Sequence, residues 1–263
     1  MTDTFDLQAD LDLLIAAAQD GADIAMRYFR NDPKVSWKEG FSPVTEADFA
    51  VDDFLKRTLL EARPTYGWLS EETVDSSERL TAKRTFVVDP IDGTRAFIEG
   101  KDVWCVSVAI VENNRSIAGV LNCPARAETY TASVGQGSFL NRKRLLPPEK
   151  RPEIALSGSK AFFSKLPSKW SQPVRIMPHV PSLAYRIAMI ASGALDGTFV
   201  KPNSHDWDLA AADLILSECG GTLCNIAGDH PLFAKKSPAH GILIAGSNHV
   251  IDEMLRVVRQ AAL

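Results

Sequence analysis

The chain predicts a mixed α/β fold, α+β in some classification schemes, on three observations. An apolar stripe at helical spacing fills the first 29 residues, short β-branched runs follow one another through the middle, and strand-like runs alternate with apolar helical stretches toward the end. At 263 residues, with 45% hydrophobic and 24% charged residues, it suffices for one large core or two smaller packed units. A formal net charge of −4 argues against a general binder of nucleic-acid polymers, while small phosphorylated ligands stay compatible with it. The four cysteines, Cys105, Cys123, Cys219 and Cys224, have no CxxC spacing and read as reduced thiols, with no zinc site implied. No basic, hydrophobic and cleavable leader pattern opens the chain and no run of 18 apolar residues occurs, so the expectation is a cytoplasmic protein without a membrane span.

Taken in order, Leu11, Leu14, Ile15, Ala18, Ala22, Ala25 and Phe29 recur at spacings of three and four between Leu7 and about Phe29, with Asp6, Asp10, Asp12 and Asp20 between them. This is an amphipathic helix with its stripe on a core. Asn31-Asp32-Pro33 ends it, and Val35 to Lys38 reads as a short extended piece. Thr45, with Asp48 three residues later, caps a second helix carrying Phe49, Val51, Phe54, Leu55 and Leu59, and capping alone accounts for both polar residues. Arg63-Pro64 closes that helix. Gly67 to Ser70 leads to adjacent acids, Glu71 and Glu72, of which at most one enters a shared site if the piece is extended. Thr73 to Lys83 is polar without an apolar period and reads as a surface connection or a mobile flap.

The run Val87-Val88-Asp89-Pro90-Ile91-Asp92-Gly93-Thr94 is a strand ending in a sharp turn with two acids three residues apart. Two carboxylates held close repel unless a cation lies between them, and a hard divalent ion is the natural guest. An ordinary Asx-type turn uses the same residues. Beyond it, 104–111, 116–122, 128–132 and 137–141 read as strands of a meander. The basic, proline-containing run Arg142 to Pro152 marks an expected boundary between halves 1–150 and 151–263. In the second half Ile154 to Ser159 reads as a strand and polar loop, Ser182 to Gly193 as a capped apolar helix, Leu195 to Val200 as a turn and strand, and Asp208 to Gly221 as a helix that opens on a carboxylate. Gly241 to Ser247 is a closing strand and Val250 to Val258 a terminal helix.

In combination, Ser42-Pro43-Val44-Thr45-Glu46-Ala47-Asp48, Ser70-Glu71-Glu72, Asp89-Pro90-Ile91-Asp92-Gly93-Thr94 and His205-Asp206-Trp207-Asp208-Leu209-Ala210-Ala211 with Glu218-Cys219-Gly220-Gly221 resemble the inositol monophosphatase family over nearly the whole chain. That resemblance implies a layered αβαβα fold of the sugar-phosphatase type and, often, a homodimer. It also implies a magnesium-dependent, lithium-sensitive phosphomonoesterase that hydrolyses a small phosphorylated metabolite with metal-activated water. Carried over by residue, Glu71, Asp89 and the Ile91 carbonyl become ligands of a first Mg2+, and Asp89, Asp92 and Asp208 of a second. Glu71 with water, near Asp48, suits a weaker third. Gly93 and Thr94 offer amides to phosphate, and Thr94 positions water. A set of oxygen donors without soft ligands agrees with Mg2+.

The substrate side departs from the inositol pattern. Inositol-selective members place a glutamate seven residues before the last metal aspartate, whereas this chain has Lys201. A lysine favours an anionic feature over a polyol. Arg95, Ser182 and Arg186 are the other residues expected at the substrate. The resemblance therefore leaves room for a 3'(2'),5'-bisphosphate nucleotidase, a histidinol-phosphate phosphatase, or a non-catalytic metal-binding regulator. His205 and Trp207 are expected to support Asp208 rather than act as acid or base.

Overall fold

The computed structural model describes residues 6–38, 42–164 and 170–261. Helices and sheets stack in five alternating layers, in agreement with the expected αβαβα architecture. The first layer holds α1 (Leu7–Tyr28) and α2 (Glu46–Ala62), joined through a small hairpin of β1 (Val35–Trp37) and β2 (Pro43–Thr45). Asp6 caps α1 by accepting from the Gln8 and Ala9 amides, and Leu14, Ala18, Ala22 and Ala25 form its buried stripe. Asp10 departs from the amphipathic reading. It is buried and receives Arg63 Nε at 2.8 Å, Tyr66 Oη at 2.8 Å and Arg84 at 2.7 Å, which ties α1 to the strand that carries Asp89.

The second layer is a sheet of seven strands among the described residues, lying in chain order: β3 (Gly67–Ser70), β4 (Arg84–Asp92), β5 (Cys105–Glu112), β6 (Arg115–Cys123), β7 (Glu128–Ser133), β8 (Gly137–Leu140) and β9 (Lys143–Arg144). β3 and β4 are parallel and the rest antiparallel, which realises the expected meander. Strand periodicity divides the side chains between the two faces. Phe86, Val88, Val106, Val108, Ile110 and Val120 meet α1 and α2, while Val87, Ala109, Val111 and Leu121 face the opposite way. Both faces are buried, so the central strands read as continuous apolar runs. A 3-10 turn over Ser77–Thr81 crosses the stretch read as a surface connection, and it buries Arg79.

The fourth layer is a sheet of five strands among the described residues, β10 (Ile154–Ser157), β11 (Val174–Ile176), β12 (Gly197–Val200), β14 (Thr222–Asn225) and β16 (Leu243–Gly246), ordered β11-β10-β12-β16-β14. Its outer face packs on α4 (Lys160–Phe163) and α7 (Ile251–Gln260). Between the sheets lie α5 (Leu183–Ala191) and α6 (Asp206–Ser217), apolar nearly all round because both sides meet a sheet. A small side ladder pairs β13 (Ser204–His205) with β15 (Ala239–His240). α6 comes so close to β6 that a β-carbon on Gly119 would lie 3.0 Å from Ala211 Cα. Buried Leu209, Leu214, Ile215 and Leu216 are each worth about 1.5–3 kcal/mol, enough to seat a helix whose first turn carries Asp206 and Asp208. Among the described residues no helix is long and apolar enough to cross a membrane.

Candidate active site

A regular strand points residues three apart to opposite faces, so Asp89 and Asp92 converge only because β4 is irregular there. Its pairing with β5 runs to Asp89 opposite Ser107, then slips, so that Asp92 lies opposite Cys105. Pro90, without an N–H to donate, sits in that slip. Asp89 Oδ1 accepts the Ile91 amide at 3.0 Å. The turn closes at Gly93, whose φ of +99° favours glycine, and a β-carbon there would lie 3.0 Å from Ser182 Cβ and 3.2 Å from the Val103 carbonyl. α3 (Thr94–Ile98) follows.

Two helix starts complete the floor. Asp92 Oδ2 accepts Ser182 Oγ and the Ala184 amide, each at 2.6 Å, and Oδ1 accepts the Leu183 amide at 3.2 Å, which docks the first turn of α5 onto β4. Asp208, in the first turn of α6, accepts the His205 amide at 2.7 Å. Ligand oxygens of Asp89, Asp92 and Asp208 all lie within 4.8 Å of one another. Burial pushes Asp89 well above the ordinary carboxylate range, and the charges of Glu71, Asp92 and Asp208 add to it. Burial likewise raises Asp92 to about 6 and Asp208 well above its usual value, the latter with Asp92 contributing. Three crowded carboxylates with oxygen donors only fit a divalent cation, whose charge offsets both burial and mutual repulsion.

The flank is built by α2 and the turn after β3. Thr45 and Asp48 form the expected capping box: Asp48 Oδ2 takes the Thr45 amide at 2.8 Å and its hydroxyl at 2.6 Å. The same carboxyl also has Thr94 Oγ1 at 3.2 Å from Oδ1, and that hydroxyl lies 3.1 Å from the Ile91 carbonyl. Burial raises Asp48 to about 6. Glu71 and Glu72 lie just past the end of β3, so the opposite-facing rule does not govern them. Both reach Lys38 Nζ, at 3.1 and 2.6 Å. Lys38 is a contact that sequence reasoning missed, because a lone lysine 33 residues away carries no spacing signal.

Lys38, Glu71, Asp89, Asp92, Thr94 and Asp208 open on a cleft of about 780 Å³ that is also lined by Arg95, Phe162, His179, Arg186, Phe199 and Lys201, whereas Asp48 is buried behind Thr94 and does not line it. Arg95 and Lys201 are exposed, whereas Arg186 is buried and donates to Thr198 Oγ1 at 3.0 Å and the Val180 carbonyl at 2.6 Å. Burial lowers the Arg186 guanidinium to about 10, against the pull of Asp92 and Asp208. Burial, then Arg186 and Lys201, hold His179 below the usual histidine value, so the three groups are neighbours. Ser182, expected at the substrate, is fully buried with its hydroxyl on Asp92, so it serves that carboxylate rather than the cleft. His205 stacks on Trp207 with ring centroids 4.6 Å apart, and both residues also line the cleft.

The chain matches the model of the inositol monophosphatase family over residues 6–262. It is 31% identical to a histidinol-phosphatase of Mycobacterium tuberculosis over 94% of this chain and 96% of that one. It is 32% identical to the Nus factor SuhB of Haemophilus influenzae, over 93% of each. Its fold superposes on the IMPase of Thermotoga maritima with a TM-score of 0.84 at 25% identity, covering 96% of this chain and 97% of that one. With a three-carboxylate cluster at the end of β4 and the same layered architecture, the chain belongs to the inositol monophosphatase family.

Proposed function

We propose that this chain is a Mg2+-dependent phosphomonoesterase acting on a small metabolite with a second anionic group, a nucleoside 3',5'-bisphosphate being the leading case. The observation that carries this reading is one cleft in which Asp89, Asp92 and Asp208 adjoin two cationic side chains, Arg186 and Lys201. Asp89, Asp92, Asp208, Glu71 and the Ile91 carbonyl are the proposed metal ligands. When bound, the divalent cations supply Lewis acidity that lowers the pKa of water and offsets phosphoryl charge.

The chain's own groups do the remainder. Thr94 Oγ1 has one proton and two acceptors in reach, Asp48 and the Ile91 carbonyl, which leaves a lone pair to orient a water. Asp48, pushed up to about 6, is suited to take a proton passed through Thr94 near neutral pH. Gly93 and Thr94 present amides to the phosphate at the turn. Arg186 neighbours Asp92 and Asp208 and limits their repulsion, so the exposed Lys201 is the cation best placed for a substrate's second anion.

A second reading, hydrolysis of histidinol phosphate, draws on the likeness to the mycobacterial histidinol-phosphatase. A cationic amine leaving group is disfavoured beside Arg186 and Lys201. Phosphate release measured with and without chelator on adenosine 3',5'-bisphosphate, inositol 1-phosphate and histidinol phosphate separates the readings. Metal-dependent turnover highest on the bisphosphate is expected. Preference for either monophosphate overturns the substrate assignment, and folded, metal-bound protein inactive on all three favours a non-catalytic regulator.

A further inference from the structure

One buried network outside the cleft joins the segments that carry Glu71 and Asp208. Asp206, fully buried in the first turn of α6, spends both oxygens on residues 231–240: Oδ1 lies 2.7 Å from His240 Nε2, and Oδ2 accepts the Ala234 amide at 2.7 Å. Its own amide donates to the Pro238 carbonyl at 2.9 Å. The far side of the same strap is held by Arg79, which donates to the Ala234 and Lys235 carbonyls at 2.9 Å each while its other edge pairs with both oxygens of Asp75. Asp75 and Arg79 follow Glu71 by a few residues, and Asp206 precedes Asp208 by two. Neither Asp206 nor Arg79 lines the cleft.

From this connectivity we infer that Asp206 and Arg79 are positioning residues. Through the 231–240 strap they set the spacing of Asp208 and Glu71 and so the affinity of the site for a divalent cation. The inference rests on the reading of Asp208 as a metal ligand. A buried carboxylate costs free energy unless its oxygens are occupied, and both oxygens of Asp206 are committed to the strap rather than to its own helix. An aspartate at this position therefore acts between segments. Asn keeps the shape but loses the charge and supplies one acceptor where Asp206 supplies two: with its oxygen on the Ala234 amide, its NH2 faces His240 Nε2, which keeps the contact only as an acceptor. Lysine at position 79 keeps the charge for Asp75 and loses the planar fork that spans two carbonyls.

The test is Mn2+ binding to the purified protein, followed by the electron paramagnetic resonance signal of free Mn2+, with thermal unfolding recorded on the same samples. Asp206→Asn is expected to weaken binding about tenfold, the lower end of the effect of groups that orient metal ligands, because it acts through two residues of backbone. Arg79→Lys is expected to weaken binding in the same direction and decides the matter if Asp206→Asn does not fold. Lys236→Ala, exposed on the same strap, is expected to bind as wild type. Wild-type Mn2+ affinity in Asp206→Asn and Arg79→Lys, even with a lowered unfolding temperature, overturns the inference by reducing the network to a structural tie. Asp208→Asn separates the two levels. If it binds Mn2+ like wild type, the ligand reading itself fails; if it loses Mn2+ while Asp206→Asn and Arg79→Lys keep it, only the positioning role is rejected.

Discussion

Replacing Asp92 by asparagine separates its two roles, as a proposed metal ligand and as the group on which α5 docks. Asn can keep its oxygen where Oδ2 now receives Ser182 Oγ and the Ala184 amide at 2.6 Å, which turns its NH2 toward the Leu183 amide, now 3.2 Å from Oδ1. One lost bond and one facing donor cost about 1–3 kcal/mol. Against this, a carboxyl held at about 6 rather than near 4 carries roughly 3 kcal/mol against its ionised form at neutral pH, and Asn removes that burden. The opposing terms leave the metal-free variant within about 2 kcal/mol of wild type, a change in Tm of several degrees at most. Metal linkage does not cancel in the same way. At Mg2+ about a hundredfold above Kd, wild type gains about 2.7 kcal/mol. Calorimetry with and without Mg2+, beside phosphate release, should give a near-wild-type metal-free Tm, loss of the Mg2+-induced rise, and loss of turnover. A variant that keeps both the Mg2+ shift and its turnover refutes the role of Asp92; one that unfolds even without metal refutes the cancellation.

Other outcomes bear on substrate and stability. Lys201→Gln should lower kcat/KM for adenosine 3',5'-bisphosphate roughly tenfold, since a charged contact is worth about 1.5–3 kcal/mol before solvent screening at an exposed site. Inositol 1-phosphate should be nearly unaffected, and equal effects on both substrates dismiss a selective contact. Asp213, buried in α6, is pushed up to about 7 by burial despite Arg115 and His240. A raised carboxyl favours the folded state at low pH and loses that advantage as pH rises from near 4 through about 7. Asp213→Asn should therefore raise stability by on the order of 2–4 kcal/mol at pH 8 and by little at pH 4.5. Denaturant midpoints at the two pH values check the sign, and a gain that is larger at the lower pH contradicts it.

Much of this molecule is written locally. The 3.6-residue stripe of α1, the Thr45 and Asp48 cap of α2, and the apolar runs of β4 to β6 depend on neighbours a few residues apart, so their periodicity was readable from the chain alone. Asp89, Asp92 and Asp208 were also readable, as acids at a strand end and a helix start. Each of those positions exposes backbone groups or a turn that an acid can serve, and motif order added the family. Charge pairing across long separations left no such trace. Asp10 looked like part of a solvent face, yet Arg63, Tyr66 and Arg84 make it a buried hub. Thr73 to Lys83 reads as a surface connection or flap, yet its Arg79 holds a strap more than 150 residues away.

The sequence by itself determined the periodicity of the layers, the family, and which acids stand at a strand end and a helix start, Asp89, Asp92 and Asp208. Only the tertiary structure decided that a slip in β4 turns Asp89 and Asp92 to one side, that Ser182 serves Asp92 instead of the cleft, and that Lys38 spans Glu71 and Glu72. The physical reason is range. Periodicity and capping act over one or two turns of chain, whereas a buried charge is satisfied by whichever partner the packed layers bring within about 3 Å, whatever its distance in sequence.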